Sequence, residues 1–134
     1  MASECLDPEV QYKIARLYRK GIGTPVDENL AFQWYKKSAD NGFNKAKCKL
    51  GKCFEKGIGV SKNTRKAVWW YKKAAIEQTS QNSSAGDYYL GSCYHEGIGT
   101  LKDIHMALRW YRKGVNKNCK LSANILLQML NHND

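Results

Sequence analysis

Proline is scarce, two residues in 134, and no apolar run approaches the roughly 18–20 consecutive residues that a membrane-spanning helix needs. A transmembrane segment is therefore not expected. Cysteine is present without pattern: Cys5, Cys48, Cys53, Cys93 and Cys119 are odd in number and contain no CxxC pair. A zinc site or a disulfide framework would want closely paired ligands. Buried free thiols in a reducing compartment, packing as small apolar residues, are the better reading. The opening residues, MASECLDPEV, lack a charged lead followed by an apolar run. No secretory signal is expected there, and the expected setting is intracellular and cytoplasmic.

Spacings that carry chemistry are missing too. Catalysis needs a positioned acid, base or nucleophile, and no Ser-His-Asp, paired-carboxylate or Cys-His arrangement emerges. His95 and Cys93 are two residues apart and so point to different helix faces, while His105 and His132 have no acid–base partner nearby. The expectation is a protein that is no enzyme, with no metal and no cofactor. What is present is 43% apolar residues and eleven glycines, a composition for one folded domain over residues 1–134. The formal charge is +10 and unevenly spread. Residues 42–73 carry ten Lys or Arg against Glu55 alone, which is +9 in this stretch. A strongly cationic surface favours an anionic partner.

The glycines answer to a period. GIG occurs at 21–23, 57–59 and 97–99, and a Trp-Tyr pair follows at 34–35, 70–71 and 110–111, always thirteen residues from first glycine to tryptophan. The copies are 36 and 40 residues apart, and the four extra residues fit the polar stretch at 78–84. Ala31, Ala67 and Ala107 keep the register, as do Tyr18, Phe54 and Tyr94, and Ala15, Gly51 and Gly91. Such a period is the mark of a helical solenoid. Each copy predicts two helices. In the first, Val10, Ile14, Leu17 and Tyr18 form one apolar stripe, started by Asp7 and Pro8 and ended at Gly21. The second starts at Asp27, Asn63 or Asp103 and turns Ala31, Trp34, Tyr35 and Ser38, or Ala67, Trp70, Tyr71 and Ala74, inward. A phosphate-binding loop would occur once, after a strand, with a Lys-Ser or Lys-Thr ending. These glycines recur at every helix–helix turn, so they punctuate.

The stretches KLGKCFEKGIGVSKNTRKAVWWYKKAA (49–75) and LGSCYHEGIGTLKDIHMALRWYRKG (90–114) closely resemble the Sel1-like repeat, a relative of the tetratricopeptide repeat. The resemblance rests on Leu50, Gly51, Phe54, Gly57, Gly59, Ala67, Trp70, Tyr71 and Ala74; the first copy departs with Ala15 in place of glycine. It implies an all-α fold, a right-handed superhelix of about three repeats (about 9–44, 45–84 and 85–117) with a capping helix at about 120–131. It also implies an adaptor or scaffold role in protein–protein interaction, as in endoplasmic-reticulum degradation machinery, chitin-synthase activators and bacterial signalling proteins.

Placed by that family geometry, the first helices turn Tyr12, Arg16 and Arg19, then Lys45, Cys48, Lys52 and Glu55, then Tyr88, Ser92 and His95, toward a concave groove, joined by Asn124 and Gln128 of the last helix. The basic members suit an acidic peptide, although the known carboxylate-clamp pattern of related repeats is not reproduced; the alternative is that they are merely solvated. Trp69, opposite Gln33 and Arg109 in the other copies, should face solvent, either as a partner anchor or against a neighbouring loop. The expected function is a non-catalytic module binding an acidic segment of a protein partner. Two rivals stand beside it: nucleic-acid binding through residues 42–73, and a spacer within a longer array. Oligomeric state is left open.

Overall fold

The computed structural model describes residues 6–77, 85–116 and 119–131. Seven α-helices follow one another: α1 (Pro8–Lys20), α2 (Glu28–Asp40), α3 (Asn44–Lys56), α4 (Thr64–Ile76), α5 (Ala85–Glu96), α6 (Ile104–Asn116) and α7 (Lys120–Asn131). There is no strand among the described residues. Each helix packs on its sequence neighbours, and α3 also touches α5 as α5 touches α7, so hairpins α1–α2, α3–α4 and α5–α6 stack in a row and α7 closes it.

The boundaries follow from local chemistry. Asp7 accepts a hydrogen bond from the Glu9 amide, with Pro8 in the first turn. Asp27, Asn63 and Asp103 accept from the amides of Leu30, Lys66 and Met106 at 3.0–3.1 Å, so all three second helices start with a capped turn. Gly21 and Gly57 end their helices at φ +71° and +73°, the left-handed region where a side chain would be strained.

Hairpins close on small residues. A methyl group on Gly51 would press into the Tyr71 ring, and one on Gly91 into Tyr111. The expected burial of the Trp-Tyr pairs needs a correction at this point. Tyr35, Tyr71 and Tyr111 are enclosed, whereas Trp34 and Trp70 lie half-buried at their side and only Trp110 is covered. One position along a helix turns the side chain by about 100°, which carries the tryptophan to the rim. There a lysine three residues on covers each ring, Lys37 at 4.4 Å from Trp34, Lys73 at 5.9 Å from Trp70 and Lys113 at 4.5 Å from Trp110.

A second correction concerns α1. Its enclosed residues are Gln11, Tyr12 and Ala15, while Val10 and Leu17 are each 41% exposed. The same stripe is enclosed in the later repeats, where Leu50, Cys53, Leu90 and Cys93 are at most 2% exposed. There the second helix of the preceding repeat lies on it. No described element lies on that side of α1.

Two hairpins carry a polar latch between residues thirty apart. Gln11 Oε1 accepts from Asn41 Nδ2 at 3.0 Å, and at the matching place the buried Lys47 Nζ donates to Glu77 Oε2 at 3.1 Å. That hydrogen bond holds the Glu77 carboxyl below its ordinary pKa.

Candidate partner-binding groove

The groove with the strongest chemistry runs across α1, α3 and the start of α5. A cavity of about 220 Å³ is lined by Tyr12, Lys45, Cys48, Lys49, Lys52, Ala85 and Tyr89. Lys45, Lys49 and Lys52 are three or four residues apart on α3 and so share one face. Their cations are held apart from acids. Arg16, Lys20, Lys45, Lys49 and Lys52 have no carboxylate within ion-pair distance among the described residues, whereas Lys13, Arg19, Lys36, Lys47, Lys56 and Lys73 each have one. Burial lowers the Lys49 pKa, and Lys52, Arg16 and Lys20 lower it further by repulsion. Four cations therefore converge on one patch.

Aromatic rings set the positions of two of them. Lys52 Nζ lies 4.9 Å from the Tyr89 ring and the Arg16 guanidinium 6.0 Å from Tyr12. Tyr12 is itself packed between Tyr35 (5.8 Å) and Phe43 (5.2 Å), and Tyr89 stacks on Tyr71 at 5.1 Å. Burial raises the phenol pKa of Tyr12 and Tyr89, so both remain protonated at neutral pH. Cys48, at the cavity wall, is buried and its thiol is pushed up to about 12, which leaves it protonated and unreactive.

The residues singled out from sequence divide among four settings. Tyr12, Lys45, Cys48 and Lys52 line this cavity, with Arg16 over its edge. Arg19 lies 3.6 Å from Glu28, so its charge is already engaged by an acid. Glu55 accepts from the Tyr71 hydroxyl at 2.8 Å. Ser92 Oγ and His95 Nδ1 both approach the Tyr111 hydroxyl at 3.3 Å, which ties them to their own hairpin, and Tyr88 is half-buried beside Tyr89 and Tyr111. His95 and Gln128 meet in a different, more apolar cleft of about 480 Å³ with Ile104, Leu108, Ile125, Met129 and Leu130. Asn124 is exposed on α7. Trp69 is 52% exposed, edge-on to Trp70 at 4.9 Å, with Lys73 Nζ 4.6 Å from its ring.

The Sel1 repeat profile matches residues 8–43, 44–77 and 84–119. The chain belongs to the Sel1 repeat family. Among solved structures it is similar to a Sel1 repeat protein from Oxalobacter formigenes, 40% identical with a TM-score of 0.78, covering 89% of this chain and 47% of that one. It is also similar to a protective antigen of uropathogenic Escherichia coli strains displaying an SLR fold, at 32% identity and TM-score 0.82, covering 91% of this chain and 25% of that one. Helicobacter pylori cysteine rich protein B shares the fold at 21% identity and TM-score 0.68, covering 91% and 98%. The chain thus spans about half the length of the first of these structures and a quarter of the second. No curated protein matches it.

The Sel1 repeat assignment carries the right-handed α–α superhelix of three repeats with it, and Sel1 repeats are generally non-catalytic modules for protein–protein interaction. None of the described helices is long and apolar enough to cross a membrane. Within this Sel1 fold, Lys49 and Tyr89 are the groove residues that sequence reasoning missed. The signal for Lys49 was available: it follows Lys45 by four and precedes Lys52 by three. Tyr89 occupies the same register as Lys49, forty residues on.

Proposed function

We propose that this Sel1 repeat unit binds an acidic segment of a protein partner in the groove formed by α1, α3 and α5. The observation that carries the reading is the set of acid-free cations Arg16, Lys20, Lys45, Lys49 and Lys52 around a cavity walled by Tyr12 and Tyr89. Charge-assisted hydrogen bonds in a partly dehydrated groove are stronger than neutral ones. The aromatic walls offer apolar area to the rest of the segment. Outside this cavity, Arg19, the outward Trp69, Ser92 and Asn124, and the separate apolar cleft that holds His95 and Gln128, are further places for partner contact. The four described cysteines are free thiols, which accords with a reducing, cytoplasmic setting.

One observation favours a nucleic acid instead: Lys62, Arg65 and Lys66 are exposed near the start of α4 and also have no acidic partner among the described residues. The deciding experiment measures binding of an Asp/Glu-rich peptide and of single-stranded RNA to two charge-reversal variants. One carries Arg16→Glu, Lys45→Glu, Lys49→Glu and Lys52→Glu; the other carries Lys62→Glu, Arg65→Glu and Lys66→Glu. Loss of peptide binding in the first and its retention in the second is expected. RNA binding lost only in the second, with no peptide binding by the wild type, overturns the proposal.

A further inference from the structure

The cations of the groove exceed what one carboxylate can neutralise. Lys45, Lys49 and Lys52 project from one face of α3 into the same 220 Å³ cavity, and Arg16 and Lys20 of α1 act on Lys49 from across it. The nearest candidates for internal neutralisation are committed elsewhere. Glu55 accepts from Tyr71 and sits 3.7 Å from Lys56, and Glu28 is engaged by Arg19. A water occupies about 30 Å³ in the liquid, so the cavity has room for a bulky tetrahedral group and its first waters. The aromatic anchors matter as well. Lys52 rests over Tyr89 and Arg16 over Tyr12, ring contacts that favour these positions of the cations and so lower the freedom lost on binding.

We infer that the groove is built for a phosphorylated serine or threonine within the acidic segment, the phosphate sitting among Lys45, Lys49 and Lys52 with Arg16 at its edge. The inference rests on the acidic-segment reading above. A phosphate monoester brings a charge of about −1.5 to −2 at neutral pH and three strong acceptor oxygens. An aspartate in its place brings one charge and two oxygens, and leaves much of the convergent positive potential unanswered.

The test uses the full chain and acetylated nine-residue peptide mixtures with Asp, Glu, Leu, Ser and Tyr in the flanks, the central residue fixed as Ser, Asp or phosphoserine. Binding is read by fluorescence anisotropy. The phosphoserine set should bind at least about tenfold tighter than the Asp set. Lys49→Met and Lys52→Met, with helix content checked by circular dichroism, should weaken both sets and bring the phosphoserine set down to the level of the Asp set, removing the preference. Lys62→Met, outside the groove, should leave it unchanged. Equal affinity for the Asp and phosphoserine sets overturns the phosphate inference and leaves the acidic-segment reading standing; binding of neither set overturns both. If inorganic phosphate displaces the phosphopeptide at equal concentration, the site is for free phosphate. If a 12-nucleotide RNA binds more tightly and is lost with Lys62→Met, it is a nucleic-acid surface. Either result overturns the inference.

Discussion

The first and second repeats carry the same apolar stripe on their first helices, yet only one of them encloses it. Leu50 and Cys53 of α3 are covered by α2, whereas Ile14 is half-buried and Leu17 is open. The hinge tells the same story. A methyl group on Gly59 would collide with the Glu28 carbonyl and one on Gly99 with that of Thr64, but one on Gly23 would stand in open space among the described residues. Ile58 and Ile98 pack against the core; Ile22 is 55% exposed. The pattern of a repeat is thus written in its own residues, and the burial it produces belongs to the neighbour that covers it. Quasi-one-dimensional stacking makes each stripe's contribution a nearest-neighbour quantity.

That contrast can be tested from its largest effect downward. The hairpin interior is common to both repeats, so Tyr71→Ala and Tyr35→Ala should each cost about 3–5 kcal/mol in denaturant unfolding, the usual loss for a large buried aromatic side chain. A much cheaper Tyr35→Ala would show that the first repeat is loose throughout, and not only on its outer face. On the stripe itself the repeats should diverge. Leu50→Ala is expected to cost about 2–5 kcal/mol and Ile14→Ala about 1 kcal/mol. Equal losses would mean that the covering helix contributes nothing.

The thiols give a third measurement. Burial raises Cys53 to about 11 and Cys48 and Cys93 to about 12, above their ordinary value of 9.0. Raised values keep the folded thiols neutral, so this stability is intact below pH 9 and is lost between about pH 9 and 12, as the unfolded chain ionises first. Urea midpoints should be flat from pH 7 to 8.5 and fall above 9. Cys48→Ala, Cys53→Ala and Cys93→Ala together should flatten that fall. Slow modification of Cys53 and Cys93 by a thiol reagent at pH 7 is the companion result; Cys5, expected to react fast, lies outside the described residues. Smallest of all, Trp69→Ala and Leu17→Ala should each change stability by about 0.5 kcal/mol or less, as exposed positions do. A larger loss at Leu17 would reveal a covering partner in solution.

The helix pairs, their caps and their glycine turns were legible in the sequence because each depends on residues close in the chain: Asp27 on Leu30, or Gly57 on Cys53. The inward face of the second helices was legible to within one position, since Trp70 and Tyr71 are both large and apolar and periodicity alone does not rank them. The stripe of α1 was correctly placed but its exposure was not, because exposure depends on a covering helix that the stripe does not contain. In the groove, Lys45, Cys48 and Lys52 were found together through helical spacing. Their meeting with Tyr89 depends on how α5 lies beside α3, and Arg19's pairing with Glu28 depends on how α2 folds back on α1. Neither arrangement is a local property.

The latches at Gln11–Asn41 and Lys47–Glu77 have a consequence for how such arrays can be rearranged. In each case both partners belong to one hairpin, amide with amide or ammonium with carboxylate. Whole hairpins can therefore be duplicated, deleted or exchanged without mixing the two chemistries. A crossover inside a hairpin, joining α3 to the segment that follows α2, would set the buried Lys47 ammonium opposite the Asn41 amide and strip it of its counter-charge. Removing one partner of a buried charge is among the costlier single changes a fold can suffer. The junction near residues 43–44 is then a permitted seam for shuffling, and the turn between paired helices is a forbidden one.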